Sequence, residues 1–250
     1  MYNEQKTKRN KIMFNGKNKA LTFSFDDGVT QDERLINIFN KYGLKCTFNL
    51  NSEFLGTEGK LNSKDYKGDF IVHNKVMPSA VKDLYKGHEV AVHTLTHPNL
   101  TMIEDDKEVI RQVEQDRLNL SELCGYEVIG MAYPCGGTNC NDRVAELIKN
   151  NTGVKYSRTI AVTGSFEPYP DLFQYKATAY HRAMGWDKMM ELAREFVALK
   201  TDKPAVFYVW GHSYEFDMEE DGWEKIEEFC RILSKKDDIF YGTNKEILLK

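Results

Sequence analysis

Apolar residues along this chain gather into short runs that alternate with longer stretches of helical spacing. Residues 20–25 (Ala-Leu-Thr-Phe-Ser-Phe) are apolar and strand-forming, and the run stops at Asp26-Asp27-Gly28. Over 31–42, Leu35, Ile36, Ile38 and Phe39 recur at helical spacing, and Gly43 follows as a cap. The pattern then repeats. Further strands are predicted at 45–50, 89–92, 127–132, near 154–157, and at 174–179, 205–209 and 239–241. Helices are predicted at 79–86, 105–123, 142–149, 186–199, 221–233 and 244–249. In the long helix, Val109, Ile110, Val113, Leu118 and Leu120 are the core candidates. Residues 163–170 read as loop, broken by Gly164, Pro168 and Pro170, and the polar stretch 55–78 as an excursion over the surface.

Strand then helix, repeated about seven times, demands right-handed crossovers and a mainly parallel sheet, an α/β fold. No repeat, low-complexity tract or compositional break divides the chain. One domain is therefore expected over 19–250, after an N-terminal extension at 1–18. An open doubly wound sheet and a closed barrel both satisfy the periodicity. The polar residues favour the barrel, because they fall just after the C-terminal ends of several strands, where barrels carry their chemistry.

Composition narrows the partners. The chain has 250 residues, 41% hydrophobic and 29% charged, enough for a sizeable core. Lys+Arg 34 against Asp+Glu 38 gives a net charge of -4, and the sequence pI is about 5.9. With no basic footprint, neither nucleic acid nor an anionic membrane is an expected partner. Apolar runs fall short of the ~20 residues of a membrane span. Cys46, Cys124, Cys135, Cys140 and Cys230 are odd in number and scattered, which suits reduced thiols. The first eleven residues hold no apolar stretch behind their charges, so a cytoplasmic location is expected.

Four strand ends carry candidate chemistry. Asp26 and Asp27 repel one another and are best tolerated at a turn or beside a cation. His93 and His97 stand four apart, and on one helical turn they would share a face and a metal. Thr94 is placed to orient the first of them or a substrate. The run 131–137 (Met-Ala-Tyr-Pro-Cys-Gly-Gly) would bring backbone N–H groups close to a ligand, and His212 follows the strand at 205–209. Each feature alone has an ordinary reading as a turn or surface residue. Gathered at one barrel mouth, they make the inventory of metal-assisted hydrolysis: metal ligands, a base, an acid and oxyanion donors. Tyr133, Trp210, Tyr214 and Phe216 would either stack on sugar rings or fill the core. His73 and His88 read as structural, and His181 with Arg182 follows a predicted strand.

These residues resemble a known family. Residues 23–28 (Phe-Ser-Phe-Asp-Asp-Gly), His93-Thr-Leu-Thr-His97, Tyr133-Pro134 and the late His212 occur in the order and spacing of the polysaccharide deacetylases, carbohydrate esterase family 4 or NodB-homology domains. The resemblance spans about 19–241. It implies a distorted (β/α)7 TIM-like barrel and a divalent metal that assists hydrolysis of N-acetyl groups on amino sugars. By the same resemblance Asp26 is the general base, Asp27, His93 and His97 are the metal ligands, and His212 is the general acid. The Cys135 N–H, just after Pro134, would donate to the oxyanion, and Tyr133, Trp210 and Thr94 would contact substrate. The expected metal is Zn, with Co, Fe, Ni or Mn also suited to two His and a carboxylate. One departure stands out. The family's Arg two residues before the Pro, which pairs with the base, is Ala132 here, as in divergent branches that cleave small amides. Arg158 and Arg182 are the candidate replacements, and Asp187 and Asp171 the candidate supports for His212. A small-molecule or oligosaccharide substrate is expected; a small non-sugar amide and a silent saccharide- or partner-binding barrel are the alternatives.

Overall fold

The structure, a computed structural model, describes residues 13–249. Its elements alternate as the periodicity requires. β1 (Lys19–Asp26) leads to α1 (Asp32–Tyr42) and β2 (Cys46–Leu50); a hairpin of β3 (Lys60–Lys64) and β4 (Phe70–Val72) follows. Next come α2 (Val81–Leu84), β5 (Glu89–Val92), α3 (Asp106–Cys124), β6 (Gly130–Ala132), α4 (Asp142–Asn151), β7 (Tyr156–Val162), β8 (Tyr175–Ala177) and β9 (Ala179–Tyr180). The chain closes with α5 (His181–Met184), α6 (Trp186–Ala198), β10 (Ala205–Gly211), α7 (Gly222–Leu233), β11 (Ile239–Tyr241) and α8 (Asn244–Leu248).

The main sheet runs β8-β7-β6-β5-β2-β1-β10-β9, and every pairing in it is parallel. β8 and β9 are separated by Thr178 alone; the first pairs with β7 and the second with β10. That single segment joins the two ends of the sheet. Thr178 adds its own ties to β10, its N–H to the Tyr208 carbonyl and its hydroxyl to that of Val206. Counting β8 and β9 as one position, seven strands make a distorted (β/α)7 barrel, a single domain. β11 lies beside the first three residues of β1, below β2 on the same edge.

Strand alternation then sorts the core. On β1, Leu21, Phe23 and Phe25 face the helices and join Leu35, Phe39, Phe207 and Phe229 in the main apolar cluster. The intervening Ala20, Thr22, Ser24 and Asp26 face the barrel interior, which is largely polar. At its base, Thr22 donates to Asn244, Thr47 donates to Glu89, and the Lys245 N–H caps the same Glu89 carboxylate. The first residues of α8 thus plug the barrel floor.

Three expectations differ in detail. In α3 the inward positions are Val109, Gln112, Val113, Asp116, Arg117 and Leu120, while Leu118 is 47% exposed. Polar residues fill part of that face because the loops above need partners there. The stretch 55–78 is more than a surface excursion: its return run pairs with the loop after β1, Thr30 N–H to the Asn74 carbonyl and Val76 N–H to that of Gly28. Of the expected extension, residues 1–12 lie outside the described residues, and Phe14 is buried against Ala20 and Val206. All five cysteines are free, and no described helix is long and apolar enough to cross a membrane.

Phe39 is fully buried on α1, its ring 4.7 Å from that of Phe23 and 6.0 Å from that of Phe25. Phe39→Ala leaves a cavity between α1 and β1 that rigid strands cannot close. It should lower stability by about 3–5 kcal/mol in urea unfolding; a loss under about 1 kcal/mol would contradict this packing.

Candidate active site

Asp26 ends β1, and its charge is the first problem the fold must solve. Its carboxylate is buried at the top of the barrel interior, accepting from Arg158 Nη2 at 2.6 Å (Oδ1) and 2.5 Å (Oδ2) and from Asn49 Nδ2 at 2.8 Å. Arg158 is fully buried on β7; its Nε reaches Ser24 and its guanidinium lies 4.5 Å from the Trp210 ring centre. Burial by itself raises the Asp26 carboxyl, but Arg158, with His93 and His212, outweighs it and holds the group below its ordinary value. Of the two candidate cations for the one missing at Ala132, Arg158 is the one that contacts Asp26. The two positions are register partners across β6 and β7. Arg182 is exposed and faces Glu219 at 3.7 Å.

Asp27 follows with φ +83°, a left-handed conformation that turns its side chain off the strand line. Its Oδ1 lies 3.6 Å from His97 Nε2 and 3.9 Å from His93 Nε2, and one ligand atom from each residue fits within 4.8 Å of the others. The two histidines do not share a helical turn. Thr94 and His97 both have positive φ, so 93–97 is a tight loop, and the rings meet edge to face at 4.9 Å. The loop is held from below. Asn51 donates to the His93 and Thr94 carbonyls, Gln112 accepts from the Thr96 N–H, and Asp116 accepts from the N–H groups of Ser52 and His93. Thr94 is fully buried and bends the chain between the two histidines rather than lining the pocket.

The donors fit a divalent cation. His93 Nδ1 is 2.8 Å from the Ala132 carbonyl, so that nitrogen carries the proton and Nε2 keeps its lone pair toward Asp27. Burial pushes His93 down to about 4 and lowers His97 as well, so both are neutral, the form a metal requires. Burial opposes the Asp27 charge, yet the His73 hydrogen bond and Lys75 hold it well below the usual carboxylate range.

His212 begins the turn after β10. Its N–H donates to Glu215 Oε2, and Glu215 Oε1 lies 3.2 Å from its Nδ1. Glu215 also accepts from Tyr180 Oη and lies 3.8 Å from His181 Nε2. Burial disfavours the imidazolium of His212, but Glu215, with Asp27 and Asp26, outweighs it and pushes the group up to about 9. The support for His212 is thus Glu215; Asp187 is exposed, and Asp171 is spent capping the N–H groups of Phe173 and Gln174. The neighbouring Ser213 hydroxyl donates to the buried Asp32.

Around these groups lies a cavity of about 800 Å³, walled by Tyr133, Cys135, Ile160, Trp210 and Tyr214 and, from the 55–78 excursion, by Leu61 and His73. Pro134 is buried behind it; the Cys135 N–H donates to no described residue, while its Sγ lies 3.7 Å from His97 Nδ1. Phe216 is core, packed 5.9 Å from Phe25. His88 is structural, accepting from the Cys46 N–H. His73 belongs to the site, with Nε2 3.2 Å from Asp27 Oδ2. Asn49, Lys75 and Glu215 escaped the sequence reading. Glu215 had a signal, since a Glu three residues after a turn-initiating polar residue is capping-box spacing.

Two outcomes follow. Arg158→Met leaves the Asp26 charge buried without its partner and should cost about 3–5 kcal/mol at neutral pH. Asp26 is stabilising above its unfolded value and loses that contribution as pH falls through the lowered folded value; without Arg158 the carboxyl rises instead. The deficit should therefore shrink on acidification in urea titrations, and a pH-independent deficit would contradict the pairing. For His212 the folded value exceeds the ordinary 6.5, so its contribution is whole below pH 6.5 and lost as pH rises through about 9. In the metal-free protein, Glu215→Gln should bring the His212 titration, followed by NMR, down by roughly 1–3 pH units.

Comparison with known proteins places the fold. The chain resembles the family 4 carbohydrate esterase from Streptomyces lividans solved with acetate, at 16% identity and a TM-score of 0.57, covering 90% of this chain and 93% of that one. It resembles the peptidoglycan deacetylase PdaC from Bacillus subtilis at 17% identity and a TM-score of 0.54, covering 93% and 91%. A xylanase-borne family 4 esterase domain from the hindgut metagenome of Trinervitermes trinervoides gives 16%, a TM-score of 0.55, and 93% and 91% coverage. These likenesses show the fold. No curated protein matches in sequence. The family profile described as Polysaccharide deacetylase matches residues 15–157, more than half of the chain and both of the motifs that supply Asp26, Asp27, His93 and His97; the chain belongs to the polysaccharide deacetylase family.

Proposed function

We propose that this protein is a metal-dependent hydrolase that removes an N-acetyl group from an amino-sugar saccharide. The observation that carries this reading is the convergence, on one cavity, of an Arg158-held Asp26, a Glu215-held His212 and the three donors of Asp27, His93 and His97. Asp27, His93 and His97 would hold a divalent cation, with Zn2+ the best match to two imidazoles and a carboxylate, and Co2+, Fe2+, Ni2+ or Mn2+ also suited. Such an ion supplies Lewis-acid polarisation of an acetamide carbonyl and acidifies water.

The chain's own groups do the rest. Asp26, kept ionised by Arg158, accepts a proton from the attacking water, and Asn49 and Arg158 keep it aimed. The Cys135 N–H, at the pocket wall, donates to the oxyanion. His212, kept protonated by Glu215, gives its proton to the departing amine nitrogen, so amide and water become acetate and amine. Trp210, packed on Tyr180 and Arg158, and Tyr133, whose hydroxyl donates to the Phe173 carbonyl, are buried and shape the cavity wall. The partly exposed Tyr214 is an aromatic ring at the cavity open to a sugar face.

A small non-sugar amide is the second reading, favoured by the apolar lining of Phe54, Leu61, Ile160 and Ala183. A silent binding barrel is disfavoured, because both proton-transfer groups keep their buried partners.

The purified protein should carry about one divalent ion per chain by mass spectrometry, with the ion lost in His93→Ala. Acetate release from N-acetylated oligosaccharides should exceed that from simple acetamides and fall by about 10²–10⁴-fold in Asp26→Asn. Release from acetamides alone selects the second reading. Saccharide binding without turnover, indifferent to Asp26→Asn, would leave only the binding barrel.

A further inference from the structure

The excursion 55–78 returns to the barrel as an extended run whose two edges are both used. His73 and Lys75 N–H donate to the Gly59 and Thr57 carbonyls on one side. On the other side, Thr30 N–H donates to the Asn74 carbonyl and Val76 N–H to that of Gly28, with Val29 and Lys75 in antiparallel register. Alternation in such a run puts His73 and Lys75 on one face, and that face meets Asp27. His73 Nε2 is 3.2 Å from Asp27 Oδ2. Lys75 Nζ donates to the Asp27 backbone carbonyl at 2.8 Å and lies 3.8 Å from Oδ1. The other carboxylate oxygen, Oδ1, is the one turned to His93 and His97.

We propose that His73 and Lys75 form a clamp that positions Asp27 as a metal ligand: His73 occupies Oδ2, Lys75 fixes the left-handed backbone, and Oδ1 alone is left for the cation. The inference rests on reading Asp27, His93 and His97 as a metal site. His73 and Lys75 are positioning residues, acting through Asp27. A carboxylate hydrogen-bonded through one oxygen is fixed in rotation and ligates through the other, and such outer partners typically carry 10–100-fold in metal affinity. The His73 ring is wedged edge-on against Tyr214 at 5.1 Å, and Tyr214 lies 5.0 Å from the His212 ring. The clamp is thereby braced from the acid side of the cavity.

Co2+ titration of the metal-free full chain, followed by visible absorption and calorimetry, tests the clamp without any substrate. His73→Phe keeps the ring against Tyr214 and removes the N–H; His73→Gln keeps an N–H donor at that place. The expected result is Co2+ affinity weakened about 10–100-fold in His73→Phe, largely recovered in His73→Gln, with the band positions of wild type in both. Lys75→Met should weaken affinity in the same direction. Thermal unfolding of each metal-free variant separates lost affinity from lost fold. Wild-type affinity in His73→Phe overturns the clamp while leaving the metal site intact. Bands that change in both His73 variants overturn it by making His73 a ligand. Absence of Co2+ binding by wild type overturns the metal reading, and the clamp with it.

Discussion

A charged carboxylate inside a barrel is tolerable only beside a cation of equal burial, and the Asp26–Arg158 pair is the interaction on which this site is built. Arg158 is fully buried, so its guanidinium must be satisfied on every side: Asp26 takes two contacts, Ser24 and the Thr159 carbonyl take others, and the Trp210 ring covers its face. Those demands fix β1, β7 and β10 at one height in the barrel. Asn49 on β2 adds a fourth strand by donating to both Ser24 and Asp26. The polar residues at this level of the interior are thus a consequence of the ion pair, since apolar residues at 24, 49 or 158 would leave a buried charge unmet.

Around that pair the fold divides its titratable groups by environment. Asp26 and Asp27 face cations and are held low; His212 faces Glu215 and is held high. An acid and a base can then coexist in one cavity at neutral pH. Two further buried carboxyls, Asp32 and Asp116, have no cation in contact among the described residues, and burial lifts both to about 7. They take no part in the cavity. Asp32 receives the Ser213 and Tyr85 hydroxyls beneath the His212 turn, and Asp116 receives the N–H groups of Ser52 and His93 beneath the 93–97 loop.

The alternation of strands and helices was legible because it rests on local periodicity, and each barrel strand lies within a few residues of its predicted place. Asp26, Asp27, His93, His97 and His212 were legible because they follow strand ends within recognisable motifs. What sequence spacing could not provide was contact across the barrel. Arg158 was one of two candidate cations, and only its burial on β7 separates it from the exposed Arg182. His73 read as structural because 55–78 is polar and Gly-rich, and nothing local shows that its return run pairs with 28–30. His93 and His97 suggested a helical turn by their spacing, yet the positive φ at Thr94 and His97 comes from the partners beneath the loop. Leu118 was misplaced for a related reason: Asp116 and Arg117 take the inner face, anchoring loops at each end of α3.

The register pairing of Ala132 with Arg158 has a wider meaning. In a parallel sheet, register partners on neighbouring strands point to the same face, so a side chain is defined by its partner across the sheet as much as by its own strand. A cation lost from one strand and gained at its register partner on the next reaches the same carboxylate from another strand. Linear motifs describe one address along the chain, whereas a contact across the sheet has a second coordinate, the strand from which the side chain arrives.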